Sequence, residues 1–180
     1  MEITQYTVRR ARAADMAAVA RLAAELVRAH HRMDPARFMA FPEPIEPNYQ
    51  FYLTTEIKNP QAVLLVAVAG PGETGAEQVL GYAWGQMRGR DYMAMLDAGG
   101  VVQDVYVAPQ ARRKGVARAL VGAMAAALHD LGAQRVVLHT AELNQPARKL
   151  FADMGFRTTM REMTLTCPHP NPGPIPQARS

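Results

Sequence analysis

Apolar positions recur with two different periods along the chain. Thr4–Arg10 alternates weakly and predicts a first strand. Met16, Val19, Leu22, Leu26 and Val27 recur at three- and four-residue steps, predicting an amphipathic helix over 15–31 with Asp15 at its N-cap. Pro35, Pro42, Pro44 and Pro47 bar regular structure over 32–47, after which Tyr49, Tyr52, Leu53 and Ile57 mark a short second helix. Ala62–Ala69 is a continuous apolar run and Val79–Met87 a further strand; the turn residues of 70–77 make the pair a hairpin. Residues 88–99 form a polar loop bearing methionines, and Val101–Val107 is a strand ended by Pro109. Val116, Leu120, Met124, Leu128 and Leu131 predict a long helix opening near Arg113, and Arg135–Thr140 a short strand. Asn144 caps a helix carrying Ala147, Leu150, Phe151 and Met154, and Phe156–Thr166 is a last strand. The order β-α-α-β-β-β-α-β-α-β, with one antiparallel hairpin, predicts a single mixed α/β (α+β) domain over 1–167 and a proline-rich tail at 168–180.

Composition narrows the function classes. A chain of 180 residues with 49% hydrophobic and 20% charged residues can bury a core, which excludes disorder throughout. The single cysteine, Cys167, excludes an internal disulfide, disfavours a cysteine zinc site and fits a reducing compartment. Residues 1–15 hold no apolar run, so no signal peptide is expected, and the longest apolar run, Ala62–Ala69, is far below the ~20 residues that span a bilayer. A soluble, cytoplasmic protein is expected. The net charge of +4 suits nucleic acid, a membrane or a phosphorylated ligand. Its densest cluster, Arg112-Arg113-Lys114, is short, ends in glycine and has no interleaved aromatics, so neither nucleic acid nor a membrane is the expected partner. No metal is expected, because the adjacent His30 and His31 do not share a helix face. Met33, Met39, Met87, Met93 and Met95 read as packing gap-fillers.

The informative stretch is residues 101–120, where a strand stops at Pro109 and a basic turn, Arg112-Arg113-Lys114-Gly115-Val116-Ala117, opens a helix. A helix N-terminus carries unpaired N–H groups and about half a positive charge, so it attracts phosphate oxygens. Glycine at 115 lets an anion touch backbone, and Ala117 keeps the next turn clear. Three cations at that end oppose the helix dipole, a repulsion that a bound anion offsets. The turn is neither a Walker A loop nor a dinucleotide fingerprint.

Those residues resemble the GNAT superfamily of acetyl-CoA-dependent N-acetyltransferases. Arg112–Ala117 meets its (Gln/Arg)-x-x-Gly-x-(Gly/Ala) signature, Asp104–Pro109 looks like the strand before it, and Asn144–Phe156 resembles its later Asn, Ala, Leu-(Tyr), Gly-Phe pattern. The resemblance implies a mostly antiparallel central sheet flanked by helices, with acetyl-CoA as cosubstrate. It implies that backbone amides of Arg113–Ala117, Val116 among them, hold the pyrophosphate beside the cations of Arg112, Arg113 and Lys114. It further implies that main-chain groups of Val105 and Val107 pair with pantetheine and that Asn144 contacts that arm. A bulge and splay between strands 101–107 and 135–140 would open the slot for the thioester. Phe151 stands at the cofactor-side position where family members often have a tyrosine that protonates the departing thiolate; Tyr106, water or unassisted departure would have to serve instead.

Amine acetylation requires a neutral amine, so a base or water chain assists. Asp104, on the strand beside the expected thioester, is the leading proton acceptor or substrate carboxylate; Glu142 and His139 are alternatives. Strand alternation sets Asp104 and Tyr106 on one face and Gln103, Val105 and Val107 on the other. The Val105 N–H is the candidate donor to the developing oxyanion. The acceptor wall is expected from 32–60 and 88–99, where Phe38, Phe41, Tyr49, Phe51 and Tyr52 supply aromatic surface, Asp34, Glu43, Glu46 and Asp97 attract cations, and Arg88 and Arg90 attract anions. The expected function is acetyl transfer to a primary amine of a small molecule, in a ternary complex rather than through acetyl-cysteine; the alternatives are a catalytically silent acyl-CoA-binding module and a basic nucleic-acid binder. A homodimer seated on strand 101–107, with the tail crossing to the partner, is left open.

Overall fold

The computed structural model describes residues 5–70 and 77–165. The inside of the predicted 70–77 turn, Cys167 and the proline tail lie outside the described residues. Five strands form one sheet in sequential order: β1 (Tyr6–Arg10), β2 (Ala62–Ala69), β3 (Gln78–Arg88), β4 (Gly99–Val107) and β5 (Val136–Leu138). All neighbours are antiparallel except β4 and β5. Every residue of β2 is buried, as its unbroken apolar run requires of a strand covered on both faces.

The helices are α1 (Met16–Met33), α2 (Glu46–Glu56), α3 (Val116–Asp130) and α4 (Gln145–Asp153). One face of the sheet packs α3 through Val116, Leu120, Met124 and Leu128, all fully buried. Each such side chain contributes roughly 1.5–3 kcal/mol of apolar burial. The other face packs α1 and α2 through Met16, Val19, Ala23 and Leu53, against Leu64, Val66, Tyr82, Trp84 and Tyr106 of the strands. Alanines at 20, 23 and 24 let α1 lie close to the sheet.

Several expectations shift. Pro47 lies inside the first turn of α2, where its missing N–H has no intrahelical role. Asp15 sits at the start of α1, but its carboxylate turns back to the Arg12 N–H (2.7 Å) and to both terminal nitrogens of Arg9 (2.8 and 3.1 Å). A 3-10 turn at Ala13–Asp15 takes the chain into the helix instead. Met93, Met95 and Met39 are strongly exposed and fill no gap. Residues 88–99 hold a small closed turn in which Asp91 and Leu96 exchange backbone hydrogen bonds of 2.8 Å.

The largest departure is at the end of the chain: 156–165 forms no strand, against the prediction for Phe156–Thr166. A strand there needs a ladder partner, and the edge strand β5 has only three residues to offer. The segment leaves Met160, Met163 and Leu165 exposed, and Arg37 pairs with its Glu162.

Candidate active site

The site begins with an irregularity between β3 and β4. Trp84 pairs with Asp104 and Gly85 with Val102, so Gln103 has no partner across the ladder. A one-residue bulge re-aims the side chains beyond it. Val102 packs with the α3 face, whereas Asp104 meets Tyr82 of the opposite face and Tyr106 packs there too. In an unbroken strand, 102, 104 and 106 would share a face. Gly85 permits the close approach: a Cβ there would lie 2.8 Å from the Val101 carbonyl oxygen and 2.9 Å from Met124 Sδ. Sequence alternation therefore holds from Asp104 onward and fails before it.

The same bulge marks where the sheet parts. β5 runs parallel to β4 only at Gly100, Val101 and Val102. It is shorter than the predicted 135–140, and beyond it the edge of β4 over 103–107, with Val105 and Val107, has no strand beside it among the described residues. This is the splay expected between the two strands.

At the end of that edge the chain makes a 3-10 turn, Pro109–Ala111, and then enters α3. Arg113 (φ 61°) and Gly115 (φ 81°) both lie in the left-handed region, so the helix opens at Val116 and not near Arg113. Left-handed residues turn successive N–H groups to one side, a backbone shape that favours anions, and strain of this kind collects at ligand clamps. Among the described residues no side chain caps α3, and the first amide bonded into the helix is Ala119, to the Gly115 carbonyl. The amides before it are left for a ligand or water. A Cβ at Gly115 would sit 3.2 Å from the Tyr6 hydroxyl, tighter than ordinary van der Waals contact, so a larger residue presses on Tyr6.

The three cations differ. Arg112 donates from Nε to the Val107 carbonyl and from Nη2 to the Tyr106 hydroxyl, both at 3.1 Å, with its guanidinium 5.4 Å from that ring. It ties the loop to β4. Arg113 and Lys114 are exposed and form no ion pair among the described residues. Val116 is buried in the core, so only its backbone can face a ligand. Asn144 caps α4, its Oδ1 accepting from the Ala147 N–H at 3.3 Å. Phe151 is half-buried and packs edgewise on Phe156 at 5.9 Å, a hydrocarbon contact with no proton to give.

Asp104 is the distinctive acid. Tyr82, fully buried, donates its hydroxyl to Asp104 Oδ2 at 3.1 Å. Burial pushes the Asp104 carboxyl up to about 6, and the Tyr82 hydrogen bond only partly offsets that. The residue as a whole is half-buried, so it is reachable from outside yet poorly hydrated. Tyr49 is pushed up to about 12 by burial and by the Asp104 charge, and Tyr52 is raised by burial, by Glu56 and by Asp104. Tyr52 meets Trp84 edge-on at 5.4 Å. Sequence reasoning did not place Tyr82, Trp84 and Tyr49 beside Asp104; two aromatics two residues apart in Gly81-Tyr82-Ala83-Trp84-Gly85 were the available signal.

The alternative bases are placed less favourably. Glu142 is exposed and ion-paired with Arg148 at 2.8 Å, and His139 is exposed. Glu43 and Glu46 are both engaged by Arg28 (2.7 and 2.9 Å), and Asp97 by Arg90 (2.8 Å). His31 Nδ1 lies 2.7 Å from the Phe38 carbonyl and His30 stacks on the Phe38 ring. Among the described residues no three metal-ligating side chains converge, and no helix is long and apolar enough to cross a membrane.

Comparison with known proteins gives this geometry a context. No curated protein matches the sequence. Solved structures share the fold at low identity. The tetramutant of the BH1408 protein from Bacillus halodurans is 19% identical, with 89% of this chain and 99% of that one covered and a TM-score of 0.72. An aminoglycoside N-acetyltransferase, AAC(6')-Iy, in complex with CoA is 18% identical, with 91% and 95% covered and a TM-score of 0.66. A predicted acetyltransferase with acetyl-CoA from Clostridium acetobutylicum is 17% identical, with 90% and 96% covered and a TM-score of 0.60. The model of the acetyltransferase (GNAT) family matches residues 25–156, which take in the bulged strand, the uncapped helix opening and Asn144. On that match, which spans most of the chain, the protein belongs to the GNAT acetyltransferase family.

Proposed function

We propose that the protein transfers the acetyl group of acetyl-CoA to a primary amine of a small molecule, directly within a ternary complex, with Asp104 as proton acceptor. Acetyl-CoA supplies a thioester carbonyl for attack. Its diphosphate suits the free amides and cations of 113–117, and its pantetheine suits the unpaired edge of β4 at Val105 and Val107. A solved relative of the same fold carries CoA, which supports this choice. The Val105 N–H, on the same open edge, is the donor for the carbonyl oxygen.

The observation that carries the reading is Asp104, a desolvated yet reachable carboxyl two residues from Tyr106 on one face. An alkylammonium of pKa about 10.4 loses its proton to an ordinary aspartate at a cost of about 9 kcal/mol. A carboxyl pushed up to about 6 lowers that cost to about 6 kcal/mol. Burial thus makes Asp104 the better base while the buried Tyr82 hydroxyl fixes its orientation. Tyr106, with Arg112 donating to its oxygen, keeps its own proton available for the leaving thiolate, a role Phe151 cannot fill. Thiol release from acetyl-CoA, followed across a panel of primary amines, is expected to show turnover dependent on the amine. CoA binding with no thiol release from any amine would favour the silent acyl-CoA-binding module.

A further inference from the structure

A cavity of about 240 Å³ lies between the proline-rich segment and α2, lined by Phe41, Pro42, Ile45, Asn48, Tyr49 and Tyr52. Its lining is aromatic and aliphatic except for the neutral Asn48. Two of its residues continue toward Asp104. Tyr52 meets Trp84, which pairs with Asp104 across the ladder, and Tyr49 belongs to the buried cluster that holds Tyr82, the hydrogen-bond donor to Asp104. The indole N–H of Trp84 is buried and has no hydrogen-bond partner among the described residues.

The charges around this cavity are unevenly available. Glu43 and Glu46 adjoin the lining residues Pro42 and Ile45, but Arg28 holds both, at 2.7 and 2.9 Å, and also pairs with Glu25. Arg28 offsets one of these three negative charges, and the cluster stands at the surface. Glu56 stands one turn beyond Tyr52 and accepts from Asn59 Nδ2 at 3.3 Å. Asp104 touches the aromatic cluster through Tyr82, and no cation engages it among the described residues. A ligand here meets the carboxylate of Asp104 and, one turn beyond Tyr52, that of Glu56, together with aromatic faces that attract a cation and an apolar pocket beyond them.

Building on the acetyl-transfer reading, we infer that the acceptor is a monoamine with an apolar body, its ammonium at Asp104 and its hydrocarbon or aromatic part in the cavity lined by Phe41, Ile45, Tyr49 and Tyr52. A polycationic, polyhydroxylated acceptor fits poorly, because a second ammonium or a row of hydroxyls placed in the cavity would lie against its aromatic and aliphatic lining.

The test is a linear alkylamine series from propylamine to heptylamine, with phenethylamine, 1,5-diaminopentane and kanamycin, read by thiol release and by calorimetry on the protein saturated with CoA. Each added methylene is expected to raise kcat/KM about threefold to fourfold until the cavity fills. Phenethylamine should exceed the diamine and kanamycin by at least about tenfold. In Phe41→Ser, an exposed position that does not threaten the core, the gain per methylene should fall below about twofold. Turnover with kanamycin or the diamine above the apolar amines, or a flat alkyl series, overturns this inference and leaves acetyl transfer standing. Calorimetric binding of the apolar amines without thiol release supports the cavity assignment and overturns the transfer reading. Neither binding nor turnover with any amine overturns both.

Discussion

Replacing Asp104 with asparagine is expected to lower kcat/KM for the amine by about 10²–10⁴-fold, the usual worth of a positioned proton acceptor. The substitution is nearly isosteric, and the amide oxygen can still accept from Tyr82, so packing is preserved. CoA affinity should not change, because the opening of α3, the proposed seat of the diphosphate, lies on a different element. The wild-type pH profile of kcat/KM should rise through about 6, where the Asp104 carboxyl ionises, and that limb should be missing in Asp104→Asn. A variant with lowered activity but an intact limb would move the base elsewhere; Glu142, held by Arg148, would be next to test.

The same variant should be more stable than wild type above neutral pH. Asp104 ionises at about 6 in the folded chain and near its ordinary 3.8 when unfolded. The folded state therefore binds this proton more tightly, and folding stability contributed by Asp104 is full below about 4 and declines as pH rises to about 6. The displacement corresponds to about 3 kcal/mol at pH 7.5. Asp104→Asn does not lose it, so thermal melts should show the variant several degrees more stable at pH 7.5, with the two converging near pH 4. Gained stability with lost activity is the signature of a carboxylate kept buried for chemistry.

How much of this was legible in the sequence depended on the kind of signal. Val116, Leu120, Met124 and Leu128 announce α3 by spacing alone, since a helix that covers a sheet must repeat its apolar face. The opening of α3 was legible as a candidate anion site because three cations gathered there oppose the helix dipole, a repulsion that a bound anion would relieve. The face on which Asp104 lies was not secured by alternation, because the bulge at Gln103 is a property of the β3–β4 pair and neither strand alone reveals it. Tyr82 and Trp84 looked like ordinary strand aromatics until register brought them to Asp104. The last strand failed for a related reason: Phe156–Thr166 has strand-forming residues, but strands depend on partners, and β5 is too short to be one. Arg112 counted as a phosphate cation in the sequence and holds Val107 and Tyr106 in the fold.

Gly115→Glu should abolish measurable CoA binding, a loss of at least about 100-fold. Two costs combine in it, and Gly115→Ala separates them. The backbone at 115 has φ 81°, where a Cβ costs roughly 1–2 kcal/mol, and that Cβ would also press to 3.2 Å from the Tyr6 hydroxyl. Gly115→Ala should therefore melt earlier and bind CoA less tightly, by about tenfold, as the loop shifts. Gly115→Glu carries the same strain plus a negative charge at the opening of α3, where the helix dipole and the Arg113 and Lys114 cations would hold it in the diphosphate's place. That carboxylate improves the local electrostatics of the ligand-free fold, so Gly115→Glu should melt no earlier than Gly115→Ala while binding CoA far worse. Stability and affinity then move in opposite directions between the two variants, which distortion alone cannot produce. Calorimetric Kd values for CoA that are equal in the two variants would show that no anion sits at this helix opening.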